Sequence, residues 1–179
     1  MTTQASYVER GFGQVEPNHL SAQATGQIYA QLPAAADINI LENGQYVKYN
    51  YAKSVCDFAG AGEWMLVFNE VKVYKDRETD ADFAMVKDNY VAKVYDATGA
   101  EMPTGTVMVP RVLKTNVGDI YTTNMINATK GEVKAGDKFA PNAKGILEAA
   151  GDDATMIWEV AKVYTMPDGQ SGVKLMRIQ

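Results

Sequence analysis

Asp37-Ile38-Asn39-Ile40-Leu41 alternates polar and apolar side chains, Glu42-Asn43-Gly44-Gln45 follows, and Tyr46-Val47-Lys48-Tyr49-Asn50-Tyr51 alternates again. A period of two places successive side chains on opposite faces of a pleated strand. An Asn-Gly pair between two such runs is a strong hairpin signal, because a two-residue type I′ turn needs positive φ at both central positions. Residues 37–51 therefore predict a β-hairpin. Cys56-Asp57-Phe58 extends its sheet before a turn at Gly60-Ala61-Gly62.

Outward from this hairpin the chain keeps reading as strands. Trp64 to Tyr74 predicts a long strand, followed by a charged loop, Lys75 to Asp82. That loop lacks the ligand spacing, central Gly and closing Glu of a calcium-binding loop. Further strands are expected at Thr106 to Val109 (ending at Pro110), Asp119 to Asn124, Lys144 to Glu148 and Ser171 to Ile178. Valine outnumbers leucine 18 to 7, a bias suited to sheet, where branched side chains pack well on the pleat. No long amphipathic helix is visible. Many short strands separated by turn signals predict an all-β chain, a β-barrel or β-sandwich body.

Val91-Ala92-Lys93-Val94-Tyr95 recurs as Val160-Ala161-Lys162-Val163-Tyr164, and Leu66-Val67-Phe68 has an echo in Met156-Ile157-Trp158. A body spanning 27–179 could thus comprise two related units, 27–100 and 101–179, with Val and Tyr of the repeat on one face and Lys on the other. Residues 1–26 differ. They hold Gly11, Gly13 and Pro17 and scattered apolar residues with no sustained period. Ordering a residue costs roughly 1–2 kcal/mol of backbone entropy, and burying a large apolar side chain returns roughly 1.5–3 kcal/mol. Tyr7, Val8, Phe12, Val15 and Leu20 cannot meet that cost alone, so the expectation is an extended N-terminal arm that orders on a partner by strand addition. On this reading, deleting residues 1–24 leaves the melting temperature of the body nearly unchanged and sharply reduces binding to the partner.

Chemistry-bearing motifs are sparse. Cys56 and His19 are single residues in no known nucleophile motif, and one cysteine allows no intrachain disulfide or cysteine metal cage. No phosphate-binding glycine loop occurs, since Gly11-Phe12-Gly13 lacks a third glycine and a preceding strand. Carboxylate separation is a three-dimensional property, so the 22 acids carry no glycosidase signature by themselves. The net charge of −5 does not suit phosphate-backbone binding. Trp64 to Phe68 is the longest strongly apolar run, far short of a membrane span. The first twenty residues show no apolar core of a signal peptide. Tyr46, Tyr49 and Tyr51 cluster on the hairpin, with Tyr49 and Tyr51 on one face. They fit half-buried strand positions, a protein interface, or a carbohydrate-binding platform.

Gly118-Asp119-Ile120-Tyr121-Thr122-Thr123-Asn124, Val133 to Phe139, Trp158-Glu159-Val160 and Asp168 to Lys174 together resemble the β-rich structural proteins of tailed-bacteriophage virions, most of all capsid decoration (cement) proteins. The likeness covers mainly 116–178, with a looser match over 27–76. It implies a non-enzymatic protein on the outer capsid surface, made in the host cytoplasm. The implied partner is the assembled major capsid protein, bound by a homo-oligomer such as a trimer, with no cofactor, metal, nucleic acid or membrane. A tail, collar or head-fibre component is the alternative within that class. Partner-binding residues on this reading are Tyr7, Val8, Phe12, Val15, Leu20, Tyr49 and Tyr51.

Overall fold

In the computed structural model the described residues are 5–9, 12–69, 84–86, 94–95, 98, 101–102, 108–167 and 169–179. Chain order runs β1 (Val15–His19), a short helix α1 (Ser21–Thr25), β2 (Ile28–Tyr29), β3 (Ile40–Glu42), β4 (Tyr46–Asn50), β5 (Val55–Asp57), β6 (Met65–Val67) and β7 (Ala84–Val86). It continues through β8 (Val94–Tyr95), β9 (Glu101–Met102), β10 (Val112–Leu113), β11 (Ile120–Thr123), β12 (Lys138–Pro141), β13 (Leu147–Ala149), β14 (Trp158–Thr165) and β15 (Ser171–Arg177). A six-stranded sheet has the order β1-β11-β15-β14-β12-β13, and a five-stranded sheet the order β2-β10-β6-β4-β5. The pairings in both are antiparallel. Past β11 the chain meets β13 through a parallel bridge, Ile126 to Leu147, and Asn127 N–H donates to Leu147 O at 2.7 Å. The larger sheet is thereby curled toward closure, which gives the body its barrel-like character.

Register across the smaller sheet sorts its side chains into two cores. Tyr46, Leu66, Leu113 and Ile28 lie opposite one another on four successive strands, and all face the larger sheet. Val67, Val112 and Tyr29 form the next row and face a second core with Val47, Tyr49 and Cys56. A sheet covered on both faces needs apolar residues at consecutive positions, which is why Met65-Leu66-Val67 is buried throughout. The first core is centred on Trp158. Tyr121 meets its ring edge-on at 4.8 Å, Tyr46 lies 6.1 Å away, and the Tyr46 and Tyr121 hydroxyls share a hydrogen bond of 2.8 Å.

The Asn-Gly turn exists, but the expected hairpin does not. β3 pairs with β7, while β4 pairs with β6 and β5. Of the two turn residues only Gly44 has positive φ, at 94°, so the strands are not folded back as a type I′ turn requires. Instead the turn is buried. Glu42 accepts the Gly13 N–H, Asn43 exchanges two hydrogen bonds with the Asn69 backbone, and Gln45 Nε2 donates to Lys144 O. A Cβ on Gly44 would stand 2.7 Å from both Met125 Cβ and Thr123 Oγ1. β4 does form a hairpin, with β5, through the loop Tyr51 to Ser54, where Ser54 takes φ 55°.

Other expectations divide. Strands at 119–124 and 171–178 are present as β11 and β15. The strand expected over 144–148 starts only at Leu147, because Gly145 turns the chain at φ 69° while Asn142 Oδ1 accepts the N–H groups of Lys144 and Ile146. Of the Trp64–Tyr74 strand, residues 65–67 are β6, and 70–74 lie outside the described residues, as does the 75–82 loop. Met108 to Pro110 is irregular, and 106–107 are likewise outside. In the second copy of the repeat a bulge at Ala161 shifts the phase. Val160 and Val163 then face Leu175 and Val173, while Lys162 and Tyr164 share the other face with Lys174 and Gly172. Val91 to Lys93 of the first copy are outside the described residues. Strands also cross the expected unit boundaries, since β10 joins the sheet of residues 28–67 and β1 the sheet of residues 120–177.

The N-terminal segment is extended, and its described residues, 5–9 and 12–26, pack on their own chain, where the expectation looked to a partner. β1 pairs with β11 from Val15↔Thr123 to His19↔Ile120. Its Pro17 is tolerated because β1 is an edge strand, where a missing N–H breaks no ladder on the open side. Tyr7 and Leu20, only 2% and 4% exposed, enter the Trp158 core, and Ala5 and Val8 pack with Met125 and Ile146. Tyr164 on β14 reaches across to donate to Glu16. Strand addition does supply the missing stabilisation, and the edge it uses is β11 of the same molecule. Deleting residues 1–24 should therefore lower the melting temperature by roughly 10 °C or more, since lost burial of Tyr7 and Leu20 alone removes about 3–6 kcal/mol. An unchanged melting temperature on thermal denaturation would restore the free-arm expectation.

Candidate functional site

The β4–β5 hairpin brings two tyrosines to one side of the smaller sheet, as period two dictates for Tyr49 and Tyr51. Tyr49, 5% exposed, forms the floor, and Tyr51, 73% exposed, stands at the rim. Their rings meet edge-to-face at 5.8 Å and 84°, a geometry aromatic pairs favour. Together with Tyr29 and Met65 they line a cleft of about 260 Å³. Burial pushes the Tyr49 phenol above its usual value, outweighing the Gln31 N–H that donates to its oxygen at 3.3 Å. The floor hydroxyl is thus neutral at physiological pH.

The wall opposite is polar. Gln31, Glu63 and Lys114 line it. Glu63 Oε2 is 3.4 Å from Lys114 Nζ, and its Oε1 is 3.2 Å from Arg177 Nη1. Arg177 is itself fixed by Thr115, through the backbone oxygen and Oγ1, and by Gln179 O. The Gly60–Gly62 loop closes the cleft by pressing on the β4 backbone, where a Cβ on Gly60 would lie 2.7 Å from Tyr49 O. Asp57 holds that loop by accepting from Ala59 N–H and Asn50 Nδ2. Burial alone would raise the Asp57 pKa, but these hydrogen bonds and Lys53 win and lower it.

Of the residues expected to bind a partner, the cleft unites only Tyr49 and Tyr51. Tyr7, Val8 and Leu20 are buried in their own body, and Phe12 and Val15 are half-buried. Tyr46 points to the opposite face of β4 and is fully buried, so it has no part in a platform. Tyr29, Gln31, Glu63, Met65 and Lys114 carried no signal in the sequence. Their proximity comes from the β2-β10-β6-β4 strand order, which no local pattern encodes.

A second hollow of about 410 Å³ lies between Lys48, Trp64, Glu148 and the 151–156 loop, with Lys48 Nζ 4.5 Å from the Trp64 ring centre. Cys56 and His19 sit on outer strands of different sheets, β5 and β1. Among the described residues no group of three or more His, Cys, Asp or Glu is placed to hold a metal. No protein-family profile, curated protein or solved structure matches this chain. Burial pushes the Cys56 thiol up to about 12, and the thiolate is the reactive form. A chromogenic disulfide reagent at pH 8 should react with the native protein far more slowly than with the urea-unfolded chain; equal rates would contradict the buried placement.

Proposed function

We propose that this chain is a non-enzymatic structural protein of a tailed-phage virion, and that it acts as a capsid decoration protein binding the assembled major capsid shell. The observation that carries the reading is the position of the four segments bearing the resemblance. Separated along the chain, they supply β11, the approach to β12, β14 and β15, strands of one continuous sheet. The likeness thus falls on one structural unit rather than on scattered loops.

Two physical features support it further. The sheets share one core through Tyr46, Tyr121 and Trp158, so the body is a stiff element suited to bracing a shell. The net charge of −5 favours an outer surface over one lining packaged nucleic acid. With the N-terminal residues committed to their own body, contact with the shell is assigned to exposed apolar side chains. Val117, 67% exposed and outside the tyrosine cleft, is the most exposed large apolar side chain among the described residues that the cleft does not use.

The test is reconstitution. The neighbourhood of its gene is searched for a major capsid protein, whose absence there would count against the reading, and shells assembled from that protein are mixed with the purified chain and sedimented. Saturable co-sedimentation, reduced by Val117→Asp, is the expected result. Protein that stays in the supernatant, or that is found in purified tails and not in heads, would overturn the capsid assignment.

A further inference from the structure

The tyrosine cleft has the composition of a ligand site, and it is independent of the capsid reading. We infer that it binds a neutral pyranose ring, one sugar unit of a glycan. A pyranose has an apolar C–H face and a rim of hydroxyls, each both donor and acceptor. Its recognition therefore calls for a flat aromatic surface beside paired donors and acceptors. Tyr51 gives the surface, held at a fixed angle by the edge-on Tyr49 ring.

The polar wall gives the pairs. Glu63 is braced by Lys114 and Arg177, yet an ionised carboxylate has about four lone-pair sites, and an ammonium has three N–H donors. Both groups line the cleft and keep hydrogen-bonding capacity beyond their ion pair. Because Glu63 already answers both Lys114 and Arg177, an anionic ligand would have to compete with that carboxylate for the cations and a cationic one with the cations for it, whereas hydroxyls can join the cluster. A purely apolar occupant, such as an aromatic side chain of a partner protein, would leave these polar groups desolvated without new bonds, at a cost in affinity.

Size and chemistry narrow the role. About 260 Å³ is below the range of ~300–1,000 Å³ typical of drug-sized pockets and fits a single ring with part of its neighbour. Glu63 is the one carboxylate among the residues lining the cleft, whereas glycoside hydrolysis ordinarily uses a pair. Binding without cleavage follows. The cleft is also pre-formed, since the Gly60–Gly62 wall rests directly on the β4 backbone, so little ordering opposes association.

The full-length protein is applied to a printed panel of neutral gluco-, galacto- and manno-configured oligosaccharides beside sialylated and uronate-bearing ones, and the strongest binder is titrated calorimetrically. Retention of neutral glycans is expected, with at least tenfold weaker binding for Tyr51→Ala and Glu63→Gln and near-native binding for Tyr51→Trp. Tyr51 is exposed, so Tyr51→Ala should keep the native melting temperature, which separates lost binding from lost folding. Absence of neutral-glycan binding, binding confined to charged glycans, or binding untouched by Tyr51→Ala would overturn the inference. So would capture of a tyrosine-containing peptide with the same dependence on Tyr51 and no glycan. Particle association is read separately by sedimentation, so either proposal can fail without the other.

Discussion

One hydrogen bond at the centre of the protein fixes how its two sheets meet. The Tyr46 hydroxyl of the smaller sheet and the Tyr121 hydroxyl of the larger are 2.8 Å apart in a fully buried site, against the Trp158 ring. Two polar tips in an apolar interior must find each other, because an unpaired buried hydroxyl costs about 1–3 kcal/mol. That requirement sets the lateral position of one sheet on the other, which apolar packing alone would specify less sharply. Burial raises both phenol pKa values, so the pair stays neutral and hydrogen-bonded far above physiological pH. The indole Nε1 of Trp158 has no hydrogen-bond partner among the described residues, so Trp158 contributes through ring area and edge contacts.

From this pin the rest of the body follows outward. β4 carries Tyr46 into one core and, on its other face, Val47 and Tyr49 into the second. Fixing Tyr46 therefore fixes the cleft floor three residues on. Tyr46 N–H donates to Gly145 O at 2.7 Å, and a Cβ on Gly145 would come within 1.9 Å of Tyr46 O. Only a glycine with positive φ fits there. The β12–β13 turn and the cleft thus share one strand as their reference, although they lie on different sheets.

Class and several strands were legible in the sequence, because alternation and β-branching act locally. β11 and β15 read correctly for that reason, and so did the proximity of Tyr49 and Tyr51. The Asn43-Gly44 turn was legible as a turn but not as a buried corner. Its burial depends on Met125, Thr123 and Gly13, which reach it from distant positions. β1 was hidden because Val-Glu-Pro-Asn-His has no strand period; its pairing is imposed by the open edge of β11. The entropy estimate for residues 1–26 was sound in requiring strand addition, and it failed only in looking for the receiving edge on another molecule. Most of the cleft was illegible for a related reason, since Tyr29, Glu63 and Lys114 meet only through strand order.

The central claim is that the two sheets form one cooperative unit pinned by Tyr46 and Tyr121. A double-mutant cycle with Tyr46→Phe, Tyr121→Phe and the double variant, followed by urea unfolding, addresses it most directly. Each single change should cost about 1–3 kcal/mol. The double should cost less than the two together, by a coupling of about 0.5–3 kcal/mol, and every variant should unfold in a single transition. Additive losses, or separate transitions for the two sheets, would contradict the account.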